Sequence, residues 1–161
     1  MEATPWIVLI GFFFITLGTG SVTAYLTDPG LREWYPQLRK PWGTPPPWIF
    51  GPVWTAIYVL MAISAWLIWR AYGWSGGRSA LVLFFAQLAL NAAWSGIFFG
   101  ARLPGVAFAA IVILWLAILF NIVVFYWLLP LAAWLLVAYF LWVTYAVYLT
   151  LGIWRLNRAT A

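Results

Sequence analysis

The amino-acid sequence predicts an all-α membrane protein, a five-transmembrane-helix bundle with a long Pro- and Trp-rich first loop. Three observations carry that expectation. Hydrophobic residues make up 66% of the 161 positions and charged residues only 7%, where a soluble domain carries about 25% charged residues. The apolar residues gather into five runs long enough to cross a bilayer, which takes ~20 residues at about 1.5 Å each. None of the runs shows the ~10-residue alternating segments of a transmembrane barrel. Residues 1–161 therefore read as a single integral membrane domain, without room for a separate soluble one.

The predicted spans are 6–26, 48–69, 80–99, 106–129 and 131–154. The first has Pro5 at its first turn, where a missing N–H costs nothing. The segment before it, MEATPW, lacks the positive region of a signal peptide, and its apolar run is long enough to stay as a span. The first connection, 27–47, opens on an Asp28-Pro29-Gly30 turn signal and has room for a short helix over 31–35. Pro36, Pro41 and Pro45-Pro46-Pro47 then make a stiff strap, because proline fixes φ and pushes the preceding residue extended. Trp34, Tyr35, Trp42 and Trp48 hang from it as rigid plates. Such a strap suits a lid over a pocket. An interfacial aromatic belt accounts for the rings as well, but not for the prolines. The second connection, 71–79, holds Gly73, Gly76 and Gly77 and reads as a flexible turn; the third, at 102–104, and the fourth, at Pro130, are tight. Short links force neighbouring helices antiparallel.

Cations set the expected orientation. Arg32, Arg39, Lys40, Arg102, Arg155 and Arg158 fall on the side of the first loop and C-terminus, against Arg70 and Arg78 on the other. The loop and C-terminus are thus expected in the cytoplasm and the N-terminus outside. Asp28 and Glu33 share the loop with Arg32, Arg39 and Lys40 and are placed to pair with them. The eight cations are scattered and form no basic cluster suited to nucleic acid.

Two spans carry legible faces. In the third, Gln87, Asn91, Trp94 and Phe98 recur at helical spacing and share one face. Amides are costly toward lipid, so this face turns inward, either lining an interior or bonding neighbouring helices. Ala89, Ala93, Gly96 and Gly100 form the opposite row, where small residues let a helix approach closely, within the monomer or across a dimer. In the fifth, Tyr139, Trp142, Ala146 and Leu149 share a face, with Ala146 one turn from Trp142. A gap beside an indole plate suits a flat ligand; ordinary core packing is the other reading. Asn121 stands as helix glue in the fourth span, and Gly11, Gly18, Gly20 and Ser21 in the first form a close-packing pattern.

The absences exclude as much. The three acids, Glu2, Asp28 and Glu33, all fall outside the spans, which hold no Lys or His. A proton-coupled pump needs titratable groups at depth, and acid–base catalysis needs paired carboxylates or their equivalent. With neither His nor Cys in the chain there is no ordinary haem ligand and no metal site. A tetrapyrrole bound here would be stacked on rings, with Arg39 and Lys40 meeting its carboxylates at the rim.

These residues resemble the TspO/MBR family of tryptophan-rich sensory and translocator proteins, formerly the peripheral benzodiazepine receptors. The resemblance covers essentially the whole chain. It rests on Trp34-Tyr35, Leu38, Lys40-Pro41-Trp42, Pro45-Pro46, Trp48, Phe50, Pro52-Val53-Trp54-Thr55 and Tyr58. Ala86-Gln87-Leu88, Leu90-Asn91, Trp94-Ser95, Phe98-Phe99, Tyr139, Trp142 and Leu156-Asn157 follow in order. The resemblance implies a homodimer of five-helix bundles with a cavity lidded by the first loop, and ligands such as protoporphyrin IX, sterols and synthetic drugs. By position the pocket would use Tyr35, Trp48, Trp54, Gln87, Asn91, Trp94, Trp142 and Ala146, with Tyr139 on the same face. It also implies light- and oxygen-dependent porphyrin breakdown through Trp54 and Trp142, chemistry that needs no His or carboxylate. The chain departs from the family pattern at Ala138, often Pro, and at Thr150, often Asn. Six residues separate Tyr148 from Arg155, one too many for the weak cholesterol-contact pattern.

The function expected from the sequence is a membrane receptor for flat hydrophobic ligands, porphyrins foremost, with light-dependent porphyrin degradation as a second activity. Porphyrin enters as ligand and not as a resident cofactor. A passive transporter of porphyrin or sterol-like ligands and a structural membrane subunit are the alternatives.

Overall fold

The computed structural model describes residues 4–158; Glu2 lies outside them. Five long helices account for nearly all of the described residues, and no strand occurs among them. They are α1 (Pro5–Pro29), α2 (Phe50–Gly76), α3 (Arg78–Ser95), α4 (Pro104–Leu128) and α5 (Pro130–Asn157). Proline opens α1, α4 and α5 within their first turn, a position where its fixed φ is preorganised for the helix. All five are long and apolar enough to cross a membrane.

The chain winds so that α1 packs on α2, α2 on α5, α5 on α4 and α4 on α3. The end of α3 returns to α1, and α2 also touches α3. Met61, Phe84, Leu114, Ile118, Phe125 and Tyr139 fill the centre and are fully buried. Lipid tails are as apolar as leucine, so contact fit and interhelical hydrogen bonds, and not water exclusion, hold such a bundle. Four such bonds run from the middle of the bundle to its end away from the first loop. Thr16 Oγ1 donates to Tyr58 O (3.1 Å), Ser64 Oγ to Ala132 O (2.7 Å), Trp66 Nε1 to Pro5 O (2.9 Å) and the Tyr72 hydroxyl to Leu128 O (2.5 Å).

Three helix ends differ from the sequence expectation. Asp28-Pro29-Gly30 does not turn the chain. Pro29 and Gly30 are both right-handed helical, at φ/ψ −60/−40° and −64/−40°. The helix runs on through a π-turn (Gly30–Trp34) and a 3₁₀ turn (Tyr35–Gln37). Gly30 is needed for contact, not for turning: a Cβ there would run into the carbonyl of Phe99. Phe99 lies in a second π-turn (Gly96–Gly100) that extends α3, so two widened turns face each other. At the opposite end, the glycines of 71–79 make a tight turn, closed by Gly77 N–H on Gly73 O (3.1 Å), and not an open loop. α2 continues to Gly76 through a kink at Gly73 (φ 66°, ψ −172°), a conformation that glycine alone adopts without strain. Gly77 then joins directly to α3.

Gly30→Val should lower the melting temperature in detergent, by the equivalent of about 1–3 kcal/mol for an overpacked contact. Gly18→Ala, where an added Cβ meets nothing within 4 Å, should not lower it.

Candidate functional site

Residues 38–46 form the strap, extended at both ends (Leu38 φ/ψ −75/145°, Pro46 −62/147°). Gly43 at φ +82° turns it, and Thr44 Oγ1 donates to Pro41 O (2.7 Å) across that turn. The strap lies along the last turns of α5. The Tyr145 hydroxyl donates to Gly43 O, and the Tyr148 hydroxyl to Trp42 O (2.9 Å). Asn157 Oδ1 accepts from Arg39 N (3.1 Å) and its Nδ2 donates to Arg39 O (2.9 Å). Gly152 gives the Pro41 ring its space, since a Cβ there would come within 2.6 Å of Cγ. Tyr145, Tyr148 and Gly152 share one helix face by spacing.

The strap divides its rings. Tyr35 is buried among Phe50, Phe98 and Phe99, and Trp34 packs edge-on against Phe98 at 5.6 Å. Trp42 and Trp48 turn outward, 93% and 73% exposed, as a belt would have them. The cations are engaged locally. Lys40 Nζ donates to Pro36 O (3.2 Å) and Leu38 O (3.3 Å) and sits 4.9 Å from the centre of the Tyr35 ring. Arg39 is tied to Asn157 through its backbone. Asp28 pairs with Arg32 at 2.7 Å, but Glu33 reaches Arg102 at 3.6 Å and not a loop cation. That pair puts the first loop and the α3–α4 connection on one side of the bundle.

Below the strap, Trp54 is the centre of an aromatic cluster. Its ring lies 5.7 Å from Tyr58, 6.2 Å from Trp94 and 6.2 Å from Tyr139. The Tyr58 hydroxyl donates to Asn91 Oδ1 (2.8 Å), and Asn91 Nδ2 donates to the Tyr139 hydroxyl (3.1 Å). This buried chain uses Asn91 as glue between α2, α3 and α5. Gln87, one turn away, is equally buried, yet neither of its amide atoms has a hydrogen-bond partner, and Trp94 Nε1 has none. Asn121 on α4 is also buried with both amide atoms bare, so in this structure it is not glue.

A cavity of about 280 Å³ opens between α1 and α2, with Trp54, Tyr58, Trp94 and Phe99 at its inner wall. Of the residues that the sequence put in the pocket it takes Trp54 and Trp94. Tyr35 and Lys40 line a separate open cleft beneath the strap. Asn91, Gln87 and Tyr139 lie in the core. Trp142 packs against Phe50 (6.0 Å) and Tyr145 (5.8 Å), and Ala146 is buried one turn on. Phe50 thus stands between Tyr35 and Trp142, on the side where the sequence suggested a gap. Sequence reasoning missed Phe50, Phe99 and the cavity's outer walls. The available signal was spacing: Gly20, Ala24 and Thr27 on α1 and Gly51, Thr55 and Tyr58 on α2 both recur at i, i+4, i+7.

The small-residue row of α3 is not consumed inside the monomer. Ala89, Ala93, Gly96 and Gly100 are all exposed, and an added Cβ at Gly96 or Gly100 meets nothing within 4 Å. No group of acids able to hold a metal occurs among the described residues.

A sequence model of the TspO/MBR family matches residues 12–155. The chain belongs to the TspO/MBR family. It is 37% identical over 158 residues to the human translocator protein, covering 96% of this chain and 93% of the relative. It is 36% identical to the tryptophan-rich sensory protein of Cereibacter sphaeroides (90% and 89% covered) and 34% identical to the tryptophan-rich protein TspO of Archaeoglobus fulgidus (92% and 96% covered). Family membership and the five apolar helices make this TspO/MBR chain an integral, multi-pass membrane protein.

Tyr139→Phe keeps the ring but removes the acceptor of Asn91 Nδ2, leaving a buried donor bare. The expected cost is about 1–3 kcal/mol, read as a lowered melting temperature. Asn157→Ala should raise amide exchange across residues 38–44 while α4 stays protected.

Proposed function

We propose that this protein is a membrane receptor for flat hydrophobic ligands, with porphyrins such as protoporphyrin IX the class that fits best. One observation carries this reading. Trp54 presents its indole to a cavity and is backed by the Tyr58 and Trp94 rings, in a wall that offers stacking surface and neither His nor Cys. Recognition by stacking is what such a wall can supply. The names of the relatives, a sensory protein and a translocator, are in keeping with a membrane protein that handles a small molecule.

Photo-oxidative breakdown of the ligand is proposed as a second activity, with Trp54 as the donor nearest a bound macrocycle and Trp142 behind Phe50. Dioxygen is the oxidant. Passive shuttling suits the absence of Asp, Glu, Lys and His from the middle of the spans better than coupled transport does. The cation excess at the strap end supports a cytoplasmic strap and C-terminus. The open α3 row supports a homodimer.

In phosphatidylcholine nanodiscs, protoporphyrin IX added in the dark should quench tryptophan fluorescence saturably. Trp54→Ala should weaken binding by about 1–3 kcal/mol, the scale of one stacked ring. Absence of quenching would leave a structural subunit as the reading. Under light and air the bound porphyrin's absorbance should decay, and Trp54→Phe should slow that decay more than Trp142→Phe. Gly96→Leu should shift the protein from dimer to monomer on size exclusion without lowering its melting temperature.

A further inference from the structure

We infer that the ligand enters sideways from the bilayer, through a seam between α1 and α2 at their strap-side ends, and not from water beneath the strap. The inference rests on the receptor reading and adds to it a route and a ligand shape.

The two helices are clamped at the far end and part toward the strap. Trp66 Nε1 bonds to Pro5 O (2.9 Å), the Trp6 and Trp66 rings stack at 5.9 Å, and Thr16 Oγ1 bonds to Tyr58 O (3.1 Å). At Gly20 the Tyr58 ring sits against the α1 backbone. Beyond that point the facing residues are small. Ser21, Ala24, Gly51 and Thr55 rim the cavity and are all exposed, whereas Tyr58 and Trp94 at its floor are buried. Thr55 Oγ1 donates back to Gly51 O (2.9 Å), so its hydroxyl is satisfied within its own helix and does not ask for water at the mouth.

The open cleft at the strap shares no lining residue with the cavity, and the strap beside it is bonded down. Tyr145, Tyr148 and Asn157 bond the strap to α5, and Pro41 seats on Gly152. Entry there breaks these bonds, while entry at the seam breaks none of them. The Asp28–Arg32 pair (2.7 Å) marks the strap end of the seam, with the Arg32 side chain 78% exposed. Asp28 itself lines the cavity. The ligand class is therefore a flat apolar ring: it slides between the helices past the paired Asp28 and Arg32 at headgroup level.

The test follows fluorescence quenching by protoporphyrin IX already dissolved in phosphatidylcholine vesicles that hold the full-length protein. Ala24→Phe and Thr55→Phe each put a ring into the mouth from opposite walls, so one serves if the other fails to fold. Tyr145→Phe with Tyr148→Phe frees the strap and keeps both rings. Both seam variants should slow quenching at least about fivefold, with the strap variant within about twofold of the unsubstituted protein. Faster quenching in the strap variant together with normal rates in the seam variants overturns the route and leaves the receptor reading intact. No quenching by the unsubstituted protein removes the receptor reading and the route with it.

Discussion

The hydrogen-bonded chain Tyr58–Asn91–Tyr139 is the constraint on which the rest of the structure depends. It joins α2, α3 and α5 at one depth. Single interhelical bonds in membranes average only about 0.6 kcal/mol, so its weight lies less in energy than in position. An unsatisfied amide in hydrocarbon is costly, and Asn91, unlike Gln87 and Asn121, has both amide atoms bonded, which requires both phenols to reach it. That requirement fixes the rotation of three helices about their axes. Trp54, one turn before Tyr58, is then aimed inward against Trp94 and Tyr139.

Two helices lie outside that chain, α4, which packs along α5 and α3, and α1. Helix α1 carries a run of exposed large side chains, among them Ile7, Ile10, Phe14 and Tyr25. Its specific contacts to α2 include the Trp66–Pro5 bond and the Trp6–Trp66 and Phe12–Trp74 stacks in its first half, the Thr16–Tyr58 bond at its middle, and the Tyr58 ring against Gly20. Its strap end is held against α3 instead, by the approach of Gly30 to Phe99. A helix fixed at its ends and spaced by small residues in between leaves a void there. The cavity follows from this attachment and not from any single residue that carves it.

The five helices were legible because length and apolarity alone demand them. The inward face of α3 was legible because Gln87, Asn91 and Trp94 are too polar or too large to face lipid idly. Other features were not. Asp28-Pro29-Gly30 reads as a turn from local chemistry, and only the carbonyl of Phe99, some seventy positions on, shows that Gly30 is small for contact. Trp48 and Trp54 are both tryptophans beside prolines, yet Trp48 sits in the 3₁₀ turn Pro47–Ile49 and points out, while Trp54 lies one turn into α2 and points in. A small residue announces space without saying what fills it. Ala146 beside Trp142 is buried, with Phe50 packed against the indole, whereas Gly51 across from Ala24 is left open.

The facing π-turns at Gly30–Trp34 and Gly96–Gly100 have a consequence for how the chain tolerates change. Each holds one residue more than an α-turn would, and one residue is about 100° of helical phase. The surplus sets the heading of Tyr35, which follows the first turn, while Phe98 keeps the inward face that ordinary helical spacing from Gln87 already gives it. Excising a single residue from the first turn would rotate Tyr35 away from Phe50, Phe98 and Phe99 while leaving every ring of the cluster in the sequence. At this level of the bundle, arc length along the backbone is as binding as amino-acid identity.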